Sequence, residues 1–332
     1  MIGSSSTLKV EHFGCFGKLP VSREFIVEGA RDLSESGFDR WIGGGVGLAK
    51  ARLGARFGER ISNFPRYRFF WSDGKDRMLA GVICPSEDAA GRKHPFALFA
   101  CVRGKQPSAP SIALQIRGLQ EQAEGLLDSF SSTLSSTLTL AALREALRLA
   151  RQEPTRPDSN PQQEYQRFLG EVPGVGFCGD TNEEGLGDGR FRVFQALVET
   201  LSPPRKGDRR TFRGGLRYPL AKGDSAQTAL ESCFWLDLTE RCLGQTLGGA
   251  CWLHPSQGTE EGHPYFFLFL TTPSDSQWIS LVDPGENLES ISYLDRPYGT
   301  EPPEQRMAPD LRSLLVSRRA TFRDYLEWAS AP

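Results

Sequence analysis

One local pattern occurs twice in this chain, and it limits the fold more than any other feature. The first copy reads GVICPSEDAAGRKHPFALFACV from Gly81, and the second reads GACWLHPSQGTEEGHPYFFLFLTTP from Gly249. Each holds a β-type run, a Pro-Ser pair, a polar loop, His-Pro and then an aromatic-rich β-type run. Pro85 to His94 spans nine positions and Pro255 to His263 spans eight, so one deletion aligns them. The unit is a strand, a loop and a strand. Proline is tolerated at the strand margins, where no ladder donor is needed, and Val, Ile, Phe, Cys and Leu fill a pleated surface. A second echo sets Gly14-Cys-Phe-Gly17 against Gly176-Phe-Cys-Gly179. The expected class is mixed α/β, with a mainly antiparallel sheet flanked by helices. The repetition points to an ancient duplication or to two related lobes. Two unrelated hairpins are the competing account.

The stretch Arg151 to Glu164 is polar, carries Pro154, Pro157 and Pro161, and has no apolar periodicity, which is the composition of a linker. It divides the chain into an N-terminal domain over 10–150, a linker over 151–164 and a second α/β lobe over 165–332. In the first part, Phe38, Trp41, Ile42, Leu48, Ala49, Leu53 and Phe57 recur at helical spacing. Gly43, Gly44 and Gly45 lie inside that helix and each costs about 1 kcal/mol relative to alanine, so close packing or a break is expected there. Strands are expected at Tyr67 to Trp71, Met78 to Cys84 and Phe96 to Val102, with a turn at Asp73-Gly74 and antiparallel pairing. Helices follow over Ile112 to Phe130 and Leu140 to Ala150. The second part predicts helices over Phe191 to Leu201 and Ala226 to Leu243, then a hairpin within Gly249 to Leu270. A single amphipathic helix after Pro309 ends the chain, with Asp310 as its N-cap.

Several function classes are disfavoured by composition. The chain has 332 residues and a net charge of −2, which gives no general attraction to nucleic acid or anionic membrane. Its longest apolar runs fall far short of the roughly 18 residues of a spanning helix. No apolar signal region opens the sequence, so a cytoplasmic location is expected. Seven scattered cysteines without a CxxC pair read as reduced, mostly buried thiols.

The motifs that resemble chemical signatures are incomplete. Gly174-Val-Gly176-Phe-Cys-Gly179 fits GxGxxG, but Pro173 precedes it and the acidic loop Asp180 to Gly185 follows, where it would repel a phosphate. That loop imitates the start of an EF-hand, yet its twelfth position is Phe191 rather than glutamate. Cys251, His254 and His263 offer soft zinc ligands, but Cys251 and His254 fall on opposite faces of a strand. No GxSxG elbow is present and only four histidines are available as bases. The basic cluster Arg205, Lys206, Arg209, Arg210 and Arg213 suits either an acidic or phosphorylated partner or a solvated loop. The residues thus predict no cofactor, no metal, no small-molecule substrate and no catalysis.

Two passages resemble the TagF (ImpM) family. Gly14-Cys-Phe-Gly17-Lys18-Leu19-Pro20, followed by Ser22-Arg-Glu24-Phe25-Ile26, is similar to the family opening G-x-x-G-K-L-P and its G-D-F-[VI] step. Pro85-Ser86-Glu-Asp88-Ala-Ala-Gly91-Arg92-Lys-His-Pro95 is similar to P-S-x-D-x-x-G-R-x-x-P with identical spacing. Between them, Phe38-Asp39-Arg40-Trp41 resembles the family's helix with a W-x-x-W or D-x-W core. Arg23-Glu24 stand where the family has Gly-Asp, so the acid is kept and the backbone freedom lost. The named residues are candidates for partner contact or for fold support. The resemblance implies a non-catalytic regulator encoded with type VI secretion machinery, which represses it post-translationally through an FHA-domain scaffold, in opposition to threonine phosphorylation. A structural or assembly factor of the same apparatus is the alternative, and a hydrolase of its signalling pathway a more distant one.

Overall fold

The aromatic and β-branched runs that mark strands in the sequence join into one nine-stranded sheet. The computed structural model describes residues 8–133, 139–152, 160–172, 188–201, 214–221, 223–256, 265–294, 307–317 and 319–331. The strands are β1 (Lys9–Gly17), β2 (Ile26–Glu28), β3 (Tyr67–Ser72), β4 (Arg77–Cys84), β5 (Phe96–Arg103), β6 (Gly215–Pro219), β7 (Cys251–Pro255), β8 (Tyr265–Phe269) and β9 (Ile291–Tyr293). The α-helices are α1 (Ala30–Ser36), α2 (Phe38–Leu53), α3 (Phe57–Ser62), α4 (Ala109–Thr133), α5 (Leu140–Gln152), α6 (Pro161–Glu171), α7 (Asp188–Leu201), α8 (Ser225–Leu243), α9 (Ile279–Val282), α10 (Pro309–Val316) and α11 (Phe322–Ala329). The sheet order is β2-β1-β5-β4-β3-β7-β8-β6-β9, antiparallel throughout except for the parallel pair β6 and β9.

Both copies of the repeated pattern form antiparallel pairs, β4 with β5 and β7 with β8. They flank β3, which pairs with β4 on one side and β7 on the other, placing Phe70 opposite both Ala80 and Trp252. Strands of both halves therefore join in a single sheet, because β3 uses both of its hydrogen-bonding edges. Period-two alternation then divides the core. Phe70, Val82, Leu98, Trp252 and Leu268 face the layer of α4 to α8, α10 and α11. Tyr67, Phe69, Trp71, Ile83, Phe99 and Phe267 face the layer of α1 to α3 and α9. Burial on both faces explains why the central strands are continuously apolar.

The triple glycine of α2 is a close approach. A Cβ on Gly45 would stand 2.4 Å from the Trp278 Cβ, and one on Gly44 would stand 2.2 Å from an Asp275 carboxylate oxygen. The helix lies against the short 3-10 turn Asp275–Trp278, and the Trp41 indole donates to the Ser274 carbonyl at 3.1 Å. Gly43 and Gly47 would meet nothing, and no contact explains them.

Two expectations are corrected. The end of the predicted linker is helical: α6 starts at Pro161, and the Asn160 side chain accepts from the Gln162 and Gln163 amides. Proline is tolerated at this first helical position, where its missing donor has no partner to lose. The final helix is in fact two. Ala308, not Asp310, occupies the cap of α10, and Asp310 instead accepts from the Trp328 indole at 3.1 Å. Thr321 and Asp324 form a capping box that starts α11, a signature readable in the sequence as T-x-x-D. Residues 153–159, the GxGxxG stretch, the acidic loop, the basic cluster and His263 lie outside the described residues. Among the described residues no helix is long and apolar enough to cross a membrane.

Gly45→Ala should lower stability in urea denaturation by about 2 kcal/mol, because the methyl meets Trp278. Gly47→Ala, with open space around it, should leave stability unchanged or raise it by up to about 1 kcal/mol. Equal effects at the two positions would refute the packing account.

Candidate binding site

The two family-like passages, about 70 residues apart, meet at the end of β1 and the loop between β4 and β5. β1 stops at Gly17, whose φ of 134° and whose missing Cβ, 2.2 Å from the Pro95 carbonyl oxygen if present, admit only glycine. The chain then runs through buried Lys18 and Leu19 to exposed Pro20 and turns where the Ser22 amide donates to the Leu19 carbonyl. From the other side, Gly91 takes a left-handed conformation and lets the loop fold back, its amide donating to the Asp88 carbonyl at 2.9 Å.

Asp88 is the hub. Its side chain has no exposed surface, and Lys18 Nζ and Arg92 Nε each donate to its Oδ2 at 2.6 Å. Its Oδ1 accepts from the Ala90 and Arg92 amides at 2.9 Å. Burial alone would raise its pKa, but the hydrogen bonds from Lys18, Arg92 and Ala90 outweigh it and hold the carboxyl well below the usual range. Backbone braces complete the junction. Ser86 Oγ donates to the Lys18 carbonyl, Arg92 to the Arg23 carbonyl, each at 2.6 Å, and the Ala89 amide to the Ser22 carbonyl at 3.0 Å. Pro85 is half-buried and Pro95 buried at the ends of the loop, whose flanks also carry the Lys93–Glu87 ion pair.

Beside the hub stands an aromatic group that the sequence reading only touched. Phe25 stacks on Phe16 with centroids 5.7 Å apart, meets the His94 ring edge-on at 4.8 Å and lies 5.0 Å from Lys18 Nζ. His94 is buried, and its Nδ1–H donates to the Pro95 carbonyl at 2.7 Å. Burial lowers its pKa to about 4, with Lys18 adding to the effect. His254 behaves alike: burial and Arg68 lower it to about 3, and its Nδ1 hydrogen-bonds the Pro255 carbonyl. The repeat alignment matched His94 with His263, whereas this contact is shared with His254. A His-Pro dipeptide at a strand margin was the available signal.

Of the fourteen sequence-predicted positions, Gly17, Lys18, Leu19, Pro20, Glu24, Phe25, Pro85, Ser86, Asp88, Gly91, Arg92 and Pro95 fall in these two adjoining loops and their strand ends. Glu24 is exposed, its amide donating to Ser22 Oγ at 3.0 Å. Asp39 and Trp41 belong elsewhere. Trp41 is buried among Trp71 and Trp278, at centroid distances of 5.0 and 4.9 Å, and Asp39 accepts from Ser34 at 3.5 Å in the first turn of α2.

Among the described residues, one trio has ligand atoms close enough for a metal ion: His12, Asp32 and Cys101, within 4.8 Å of one another. Arg77 and Arg103 already approach Asp32 at 3.5 and 3.6 Å, and burial pushes the Cys101 thiol upward, so a cation would compete with two guanidinium groups for one carboxylate. Cys251 lies in the core on the α2 face, with its Sγ contacting the Ser72 carbonyl, while His254 alternates away from it.

Residues 14–149 match the family model described as the TagF N-terminal domain, type VI secretion system-associated. This stretch of the chain belongs to the TagF family. Both loops of the junction, and the whole of the Phe25 cluster, fall inside the TagF domain. No curated protein matches the chain in sequence. Among solved structures, the chain is similar to that of PA0076 from Pseudomonas aeruginosa PAO1, at 18% identity and a TM-score of 0.46, covering 83% of this chain and 96% of that one.

Lys18→Met, which leaves the Asp88 carboxylate without its buried partner, should lower the melting temperature by more than about 5 °C. Exposed Glu24→Gln should leave it within about 1 °C. Stability should also fall with acidity. His94 and His254 have folded pKa values below the ordinary 6.5, so their contribution is complete above pH 6.5 and is lost as pH falls towards 4. Between pH 7 and 5.5 each should cost about 1 kcal/mol in urea denaturation. A His94→Gln variant that keeps the full wild-type pH dependence would contradict this.

Proposed function

We propose that the chain is a non-catalytic, post-translational regulator that represses a bacterial type VI secretion system from the cytoplasm, by binding an FHA-domain component. The observation that carries this reading is the union of the two TagF-like passages into one braced surface element. Lys18, Asp88 and Arg92 are spent on holding the loops together. Turn residues Pro20, Arg23 and Glu24 and the loop residues Ala89, Gly91 and Lys93 are left exposed. A loop pair fixed before contact loses little entropy on binding, which suits recognition. The family's association with type VI secretion supplies the context.

Deleting the gene should raise secretion, and the purified full-length chain should bind the purified FHA component in calorimetry. Unchanged secretion together with no detectable binding would overturn the proposal.

A further inference from the structure

Among the described residues, six large hydrophobic side chains are exposed, and three of them, Val21, Phe25 and Val27, crowd into seven positions leading into β2. β2 is the terminal strand of the sheet, paired to β1 through Cys15↔Glu28, Phe16↔Val27 and Gly17↔Ile26. Among the described residues no strand pairs with its other edge, which presents backbone donors and acceptors outward, next to apolar side chains. Val27 lies beside Phe16 in this register, and Phe25, two residues earlier, stacks on the same ring. The two share one face, while Ile26 between them points into the core. Exposures of 47% for Phe25 and 38% for Val27 are high for residues that a natural edge strand would normally cover or charge.

We propose that the free edge of β2 receives an extended segment of a partner protein as an added strand, with Phe25 and Val27 as its apolar anchors. This rests on the binding reading above and supplies its geometry. Main-chain pairing gives such a complex its affinity, and alternate side chains give it specificity. The segment that fits has apolar residues at alternate positions, matching the two-residue spacing of Phe25 and Val27. A second copy of the chain fits poorly. Two copies paired edge to edge over three residues each would bury far less than the roughly 1,600 Å² of a stable dimer, and an added partner strand is accordingly a transient contact. The anchors follow a braced segment: the Asp88 junction holds the loop preceding β2 through the Ser22 and Arg23 carbonyls.

The test places a photo-crosslinking phenylalanine analogue at Phe25, at Val27 or at the remote exposed Leu48, in the full-length chain within secretion-competent cells. The expected result is one identified partner peptide, apolar at alternate residues, captured from Phe25 and Val27 but not from Leu48. In the purified complex with that partner, the amides of residues 25–28 should exchange at least about tenfold more slowly. Phe25→Ser and Val27→Lys, each melting like wild type, should weaken binding about tenfold. Adducts to a helix, to another copy of the chain, or none at either position would overturn the proposal. A crosslinked partner other than the FHA component would retain the added strand and refute the FHA reading. FHA binding that both variants leave intact would do the reverse.

Discussion

β3 has neither a free edge nor a free face. β4 occupies one side from Tyr67 to Ser72 and β7 the other from Tyr67 to Phe70, and helices cover it above and below. This arrangement buries Arg68, which needs a counter-charge: Glu124 on α4 supplies it at 2.5 and 3.0 Å, with Glu121 at 3.9 Å. Across the strands Arg68 faces His254, whose charged form is disfavoured first by burial and then by repulsion from Arg68. One strand thus pairs with α4 through Arg68, faces a histidine of the other half, and keeps the sheet continuous.

The junction of the two loops at the far end of that sheet depends on the same kind of constraint. A carboxylate without solvent is stable only when its lone pairs are filled, and Asp88 fills them from two amides and two cationic side chains. Those donors come from both loops, so the charge that must be buried also fixes how the loops meet. The aromatic group around Phe25 then inherits its place from Gly17 and His94, which close the strand margins beneath it.

Much of this was legible beforehand. The strands from Tyr67 to Val102, the long helices and the antiparallel hairpins follow from apolar period and turn chemistry alone. The glycines of α2 left close packing or a break open, and Gly44 and Gly45 pack closely, against Asp275 and Trp278. Spacing told less about Pro161 and Ser317 to Thr321, because a proline that opens a helix and a short break within an amphipathic stripe look alike in a periodic pattern. In the site, Lys18, Asp88 and Arg92 were identified as motif residues, but nothing in their order says that they bond to one another. Asp39 and Trp41, grouped with them by resemblance, turned out to secure α2.

The sequence by itself determined the central strands, the long helices, the class of the fold and the motif residues, since periodicity, propensity and turn geometry are local properties of neighbouring side chains. Only the tertiary structure decided that two halves share one sheet, that Lys18 and Asp88 form a single buried pair, and that Phe25 and Val27 remain exposed at a free edge. Those outcomes depend on which surfaces are taken from water together, and burial is a property of the whole chain that no local pattern records.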